Sequence, residues 1–196
     1  MSQVKVKRRI PSPKDLAQLL RFRKIILSPR KRRLTRALTI YDLRDIAKRR
    51  TPQAPFDYTD GGADTESSLT RARAAYEKLE FQPKILLNVK DVDLSVQMLG
   101  KKMSMPIGIA PTGFTRMMQT EGEYAGACAA ADAGIPYTLS TMGTRSIEDV
   151  AKAAPTGRNW FQLYMWKDRD RSMALVDRAK VAGSTNAILR SRSFHI

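Results

Sequence analysis

The chain has 196 residues, 42% of them apolar, and carries 35 Lys/Arg against 19 Asp/Glu, enough for one good-sized domain or part of a larger one. Its one cysteine, Cys128, excludes an internal disulfide framework and fits a reducing compartment, and its single histidine, His195, argues against a zinc centre of His and Cys ligands. No run of about 18 apolar residues is present to span a bilayer, and the basic N-terminal stretch lacks the apolar core of a signal peptide.

The charge is concentrated at one end. Residues 1–50 hold 17 Lys/Arg against 3 Asp/Glu, whereas residues 51–196 hold 18 against 16. Residues 1–38 therefore read as a basic arm. Within it, residues 14–20 are compatible with a short helix, because Pro13 is tolerated at a helix start. The run Arg30-Lys31-Arg32-Arg33 suits nucleic acid, anionic lipid or an acidic partner, and no base-reading motif accompanies it. A solvated extension is the plainer reading of such a run.

Residues 39–105 read as a helical cap with short strands. Ile40, Leu43, Ile46 and Ala47 predict an amphipathic helix over 39–50, with Thr39 as N-cap and Asp42 as its capping-box partner. The stretch FDYTDGGA, residues 56–63, places Tyr58 just before a Gly-Gly pair that permits close backbone approach. A packing aromatic is the ordinary reading of Tyr58. Leu69, Ala72, Tyr76 and Leu79 form the stripe of a second helix over 66–79, and residues 92–102 suggest a short hairpin.

From Pro106 a strand–helix pattern repeats. Strands are predicted at 106–110, 136–141, 160–165 and near 186–189, and helices at 121–133, 146–153 and 168–182. Ser146 reads as an N-cap, and Gly134 and Gly183 as helix-ending glycines. Alternation at this spacing predicts a parallel α/β fold over 106–189. In 160–165, Phe161, Leu163 and Met165 share one face, and Gln162 and Tyr164 the other. Thr138 and Ser140 likewise share a face. A buried Gln needs a partner, either a side-chain network or a bound heterocycle. The strand ends thus offer Thr112-Gly113, Ser140-Thr141 and Gln162-Tyr164. These groups form hydrogen bonds without charge or strong nucleophile, and they suit holding a cofactor better than acid–base work.

The segments PIGIAPTGFTRMMQTEGEYAGA, AGIPYTLSTMGTRSIEDVA and NWFQLYMWKDRDRSMALVDRA resemble the FMN-dependent α-hydroxy-acid dehydrogenases and oxidases, over about residues 39–189. The basic arm and FDYTDGGADTE resemble in particular the bacterial L-lactate dehydrogenases. The resemblance implies the N-terminal half of a (β/α)8 TIM barrel, about four βα units, with FMN at the carboxyl ends of the strands. It implies that Tyr58 and Tyr164 meet the substrate, and that Pro111, Thr112, Gly113, Ser140 and Gln162 meet FMN. The implied chemistry is oxidation of an L-2-hydroxy acid, foremost L-lactate to pyruvate, with two electrons passing to FMN. The acceptor beyond FMN is left open between a quinone, a cytochrome and oxygen. Full-length relatives are expected to be homo-oligomeric and cytoplasmic, with the arm as a candidate contact to an anionic inner-membrane face.

After Ile188-Leu189, where the family continues with a T-V-D-like strand, the chain reads RSRSFHI, so residues 190–196 form a tail outside the family pattern. The resemblance places the histidine base, the substrate-clamping arginines and the phosphate site in a second half. His195, in SFHI, does not match the family's S-x-H-G-G-R. No catalytic residue is therefore assigned, and the expectation is a truncated chain that does not turn over alone. The alternative is a non-catalytic half-barrel that binds through its arm or pairs with a partner chain.

Overall fold

A computed structural model describes residues 25–184 and the backbone of residues 186–190. The helix predicted at 14–20, and the tail 191–196 with His195, lie outside the described residues. The chain divides into two compact units, residues 1–50 and 51–196.

In the first unit, α1 is Pro29–Arg36 and α2 is Ile40–Lys48. Ser28 caps α1 by accepting from the Lys31 N–H at 3.4 Å, and Pro29 occupies the first turn, where its missing donor costs nothing. The predicted capping box of α2 is present. Thr39 Oγ1 accepts from the Asp42 N–H at 3.2 Å, while Asp42 Oδ2 accepts from the Leu38 and Thr39 N–H groups at 2.8 and 2.9 Å. Those N–H groups, Leu38 foremost, lower the Asp42 pKa.

The second unit opens with α3, Gln53–Asp60, and α4, Ser67–Glu77. Tyr58 thus lies on a helix, just before the Gly61-Gly62 pair. Pro55 lies in the first turn, where no backbone donor is needed, and Gly61 ends the helix. A hairpin of β1, Val96–Met98, and β2, Lys101–Met103, follows.

The remaining elements alternate: α5, Glu123–Ala133; β3, Pro136–Ser140; α6, Ile147–Ala153; β4, Arg158–Tyr164; α7, Arg169–Val181; and β5, Asn186–Arg190. The three strands form one parallel sheet in the order β3-β4-β5. Gly134 ends α5 in the left-handed conformation, Ser146 caps α6 through the Asp149 N–H, and Asp168 caps α7 through the Arg171 N–H. The predicted strand 106–110 is reduced to a single parallel bridge, Ile109 to Tyr137. Its bonds run from the Ile109 N–H to the Pro136 carbonyl at 2.9 Å and from the Thr138 N–H to the Ile109 carbonyl at 3.1 Å. Pro106 and Pro111 remove donors at both ends of the segment, which leaves too short a ladder for a full strand.

One face of the sheet makes the core. Tyr137, Leu139, Phe161 and Leu163 point toward α5, α6 and α7 and pack with Ala127, Ala130, Val150 and Ala179. Gly126 permits this closeness: a Cβ there would stand 2.7 Å from the Tyr137 ring. The opposite face carries Arg158, Trp160, Gln162 and Tyr164 in succession along β4. Arg158 closes the lower end by donating to the carbonyls of Met98, Leu99 and Lys101 around the hairpin turn, and its guanidinium lies 5.2 Å from the Trp160 ring. Phe161 is 2% exposed at the centre of this packing. Phe161→Ala is expected to cost about 3–5 kcal/mol, a large share of the stability of a domain this size, and urea denaturation would show the lower midpoint.

Candidate functional site

A cavity of about 620 Å³ opens beyond the carboxyl ends of β3 and β4. Tyr58 of α3, Pro111 and Gly113 of the loop after the Ile109 bridge, Ser140 and Tyr164 all line it. Five of the seven residues singled out in the sequence therefore meet at one opening. Gln162 lies immediately behind Ser140. Thr112 is exposed beside the wall, with its carbonyl accepting from Thr115 Oγ1 at 3.5 Å.

Gln162 is paired with Ser140 in the strand register and is only 3% exposed. Ser140 Oγ donates to Gln162 Oε1 at 3.1 Å and accepts from the Met142 N–H at 3.1 Å. Thr141 Oγ1 donates to the Gln162 carbonyl at 2.6 Å and accepts from the Tyr164 N–H at 3.0 Å. These bonds hold the glutamine backbone and orient its amide. The amide nitrogen Nε2 is buried and has no partner. An unpaired buried donor costs about 1–3 kcal/mol, so a ligand acceptor there gains what the fold forgoes.

The loop opposite is built to approach closely. A Cβ at Gly113 would stand 2.9 Å from Met142 Cβ. Phe114 adopts φ +53°, a conformation rare for a bulky side chain, and its N–H donates to the Met142 carbonyl at 3.0 Å.

Glu123, which the sequence reading passed over, locks the next loop. It is fully buried at the start of α5. Its Oε1 accepts from the Thr144 N–H at 2.6 Å and from Thr144 Oγ1 at 2.9 Å, and Oε2 accepts from the same hydroxyl at 2.8 Å. Burial pushes its pKa up, but the Thr144 N–H and the other donors outweigh that and hold it below the usual carboxylate value. Burial, together with the Glu123 charge, raises the Tyr137 hydroxyl pKa. A Glu in the first turn of a helix ordinarily reads as a partner of the helix dipole. Nothing local marks it as the anchor of a loop 21 residues away.

The rim was also missed. Trp166, Lys167, Asp168 and Arg171 surround the opening. Asp168 is already engaged, capping α7 and pairing with Arg171 at 3.2 Å. Buried Ser172 accepts from the Trp166 N–H at 3.0 Å and donates to the Asp168 carbonyl at 3.1 Å, fixing the rim to the helix. The cavity therefore offers hydroxyls and amides, with the Asp168–Arg171 pair and Lys167 at its edge.

The sequence profile described as FMN-dependent dehydrogenase matches residues 47–191. The chain belongs to this family. It is 59% identical over 178 residues to a protein of Mycobacterium tuberculosis (strain ATCC 25618 / H37Rv) provisionally named an L-lactate dehydrogenase, covering 91% of this chain and 43% of that one. It is 44% identical over 147 residues to the L-lactate dehydrogenase of Ectopseudomonas mendocina, covering 75% of this chain and 38% of that one. A crystal structure of mandelate oxidase with 3,3-difluoro-2-hydroxy-3-phenylpropionic acid superposes with a TM-score of 0.73 at 37% identity, covering 78% of this chain and 46% of that one. The chain thus spans less than half the length of these relatives, and its fold is the N-terminal half of a (β/α)8 barrel.

FMN is the cofactor of the FMN-dependent dehydrogenase family, and the residues here fit it. The unpaired Gln162 Nε2 is a donor suited to a carbonyl or ring nitrogen of the flavin's pyrimidine edge. Gly113 lets the loop backbone come close to a flat ring, and the wall of Pro111, Phe114 and Met142 offers it apolar surface. The change Glu123→Gln removes the charge and one of the two carboxylate acceptors facing Thr144 and is expected to cost about 1–3 kcal/mol near pH 7. Glu123 has a folded pKa below its ordinary 4.5, so its contribution is present above that value and is lost as pH falls through the folded one. Denaturation curves of the native chain and the variant should therefore converge on acidification below that value.

Proposed function

We propose that this chain supplies the flavin-edge and substrate-facing part of an FMN-dependent enzyme that oxidises an L-2-hydroxy acid to a 2-keto acid, with L-lactate as the foremost substrate. One observation carries the reading: the buried, unpaired Gln162 Nε2 beside Ser140, at the carboxyl end of a parallel sheet. Ligands bind at that end in barrels of this type. The preference for lactate rests on the names of the relatives described above, and mandelate or glycolate acids remain within the family's range.

When bound, FMN accepts the two electrons released from the substrate carbon. Gln162 and Ser140 would hold its pyrimidine edge, and the 111–113 backbone would lie against its ring. Tyr58 and Tyr164 present phenol groups to the same cavity and would orient the carboxylate and hydroxyl of a small acid. Proton abstraction needs a base within hydrogen-bond reach. Among the described residues lining the cavity the one carboxylate, Asp168, is committed to its helix cap and to Arg171, so none of them is assigned as the base.

Titration of the purified chain with FMN, followed by quenching of flavin fluorescence, tests the first clause. Gln162→Leu is expected to weaken binding by about 5- to 150-fold, the equivalent of losing a buried hydrogen bond of 1–3 kcal/mol. Equal affinity in the variant would overturn the assignment, and no binding by the native chain would favour the non-catalytic half-barrel. In the full-length enzyme, anaerobic mixing with L-lactate, glycolate and mandelate in turn should bleach the flavin fastest with lactate.

A further inference from the structure

The FMN reading gives no task to the buried carboxylate of Glu123. Neither it nor its partner Thr144 lines the cavity, and a buried carboxylate is costly to keep. The loop after β3 shows where the bond to Thr144 leads. The Met142 N–H donates to Ser140 Oγ at 3.1 Å, and the Met142 carbonyl accepts from the Phe114 N–H at 3.0 Å. Gly143, between Met142 and Thr144, donates its N–H to the Ser140 carbonyl at 2.9 Å. A Cβ on Gly143 would stand 2.8 Å from Leu139 Cδ1 and 3.6 Å from Glu123 Oε1. The turn from Ser140 to Thr144 is thus pressed against the core and pinned at its far end by Glu123.

We propose that Glu123 is a positioning residue for the cofactor site: through Thr144 it holds the Met142 N–H on Ser140, and so keeps the Gln162 amide with its NH2 group free for the ligand. The ligand is FMN on the reading given above. A backbone N–H only donates and a carboxylate only accepts, so both ends of this relay have a fixed sense. Ser140 Oγ accepts the Met142 hydrogen and donates its own proton to Gln162 Oε1 at 3.1 Å. With Oε1 engaged, Nε2 is the group left buried and without a partner. Once the Met142 N–H swings away, the serine hydroxyl is free to accept from the amide, and the amide turns Oε1 to the ligand. A flavin carbonyl would then face another acceptor, and the hydrogen bond that holds it is lost.

FMN titration of the purified chain, read by flavin fluorescence, tests the relay. Glu123→Gln and Thr144→Val should each weaken FMN binding by about five- to tenfold. Thr144→Ser keeps both donors and should bind within about twofold of the native chain. Gln162→Leu removes the group being positioned, so adding Glu123→Gln to it should cost less than about a further twofold, whereas two independent losses multiply. Circular dichroism matching the native chain would show that the variants remain folded, and Thr144→Val carries the test if Glu123→Gln does not fold. Amide exchange of the ligand-free chain is a second readout: the Met142 N–H should exchange at least about tenfold faster in Glu123→Gln and Thr144→Val than in the native chain. Native FMN affinity in both of those variants, multiplying losses in the double variant, or unchanged Met142 exchange would each overturn the proposal. If the native chain binds no FMN, the FMN reading falls and Met142 exchange alone decides the relay.

Discussion

The parallel register of β3 and β4 is the constraint on which the rest depends. It sets Ser140 opposite Gln162 and Leu139 opposite Phe161. With a side-chain period of two, this one alignment sends Leu139, Phe161 and Leu163 under the helices and leaves Ser140, Gln162 and Tyr164 on the other face. A slip of one residue would put the glutamine in the apolar core and the phenylalanine in the cavity. Burial of the aromatic and aliphatic set therefore also fixes the polar set. The core and the site are two sides of the same two strands.

That register places side chains but does not hold the loops that follow. Glu123 and Thr144 do so after β3, and Asp168, Ser172 and Trp166 do so after β4. Both devices join a loop at the cavity to the start of a helix, where free N–H groups and the helix dipole favour a carboxylate. Glu123 is the more demanding of the two, since it is fully buried and its carboxylate accepts both the N–H and the hydroxyl of Thr144, the hydroxyl shared between its two oxygens. Its stability contribution and the geometry beside Ser140 are therefore coupled through Met142 and Gly143.

Local signals carried most of what could be read in advance. The capping box at Thr39 and Asp42, the cap at Ser146, and the apolar alternation around Phe161 are short-range patterns, and they recur in the fold. Gln162 was legible because a polar side chain in an apolar strand is costly wherever it points. The strand at 106–110 misled because hydrophobicity outweighed the donors lost at Pro106 and Pro111 in the reading, whereas the ladder depends on donors. Tyr58 reads locally as a packing aromatic ahead of Gly61 and Gly62, and no helix was assigned there, yet it lies on a helix that Gly61 ends. The role of Glu123 and the convergence of the rim on Tyr58 depend on contacts between distant elements. No window of sequence contains both partners.

Charge is separated along the chain. Residues 51–196 are nearly balanced, and the cavity they build offers mainly neutral hydrogen-bonding groups, with one ion pair and Lys167 at its edge. A strongly cationic wall would hold a flavin or an organic acid by charge alone, and its affinity would fall with salt. Directed donors such as Gln162 Nε2 instead discriminate by geometry, because a misplaced acceptor leaves them buried and unpaired. The excess positive charge sits in the other compact unit, residues 1–50, away from the sequence that builds the cavity. Where position matters, at the flavin-facing edge, the chain relies on directed neutral donors rather than on net charge.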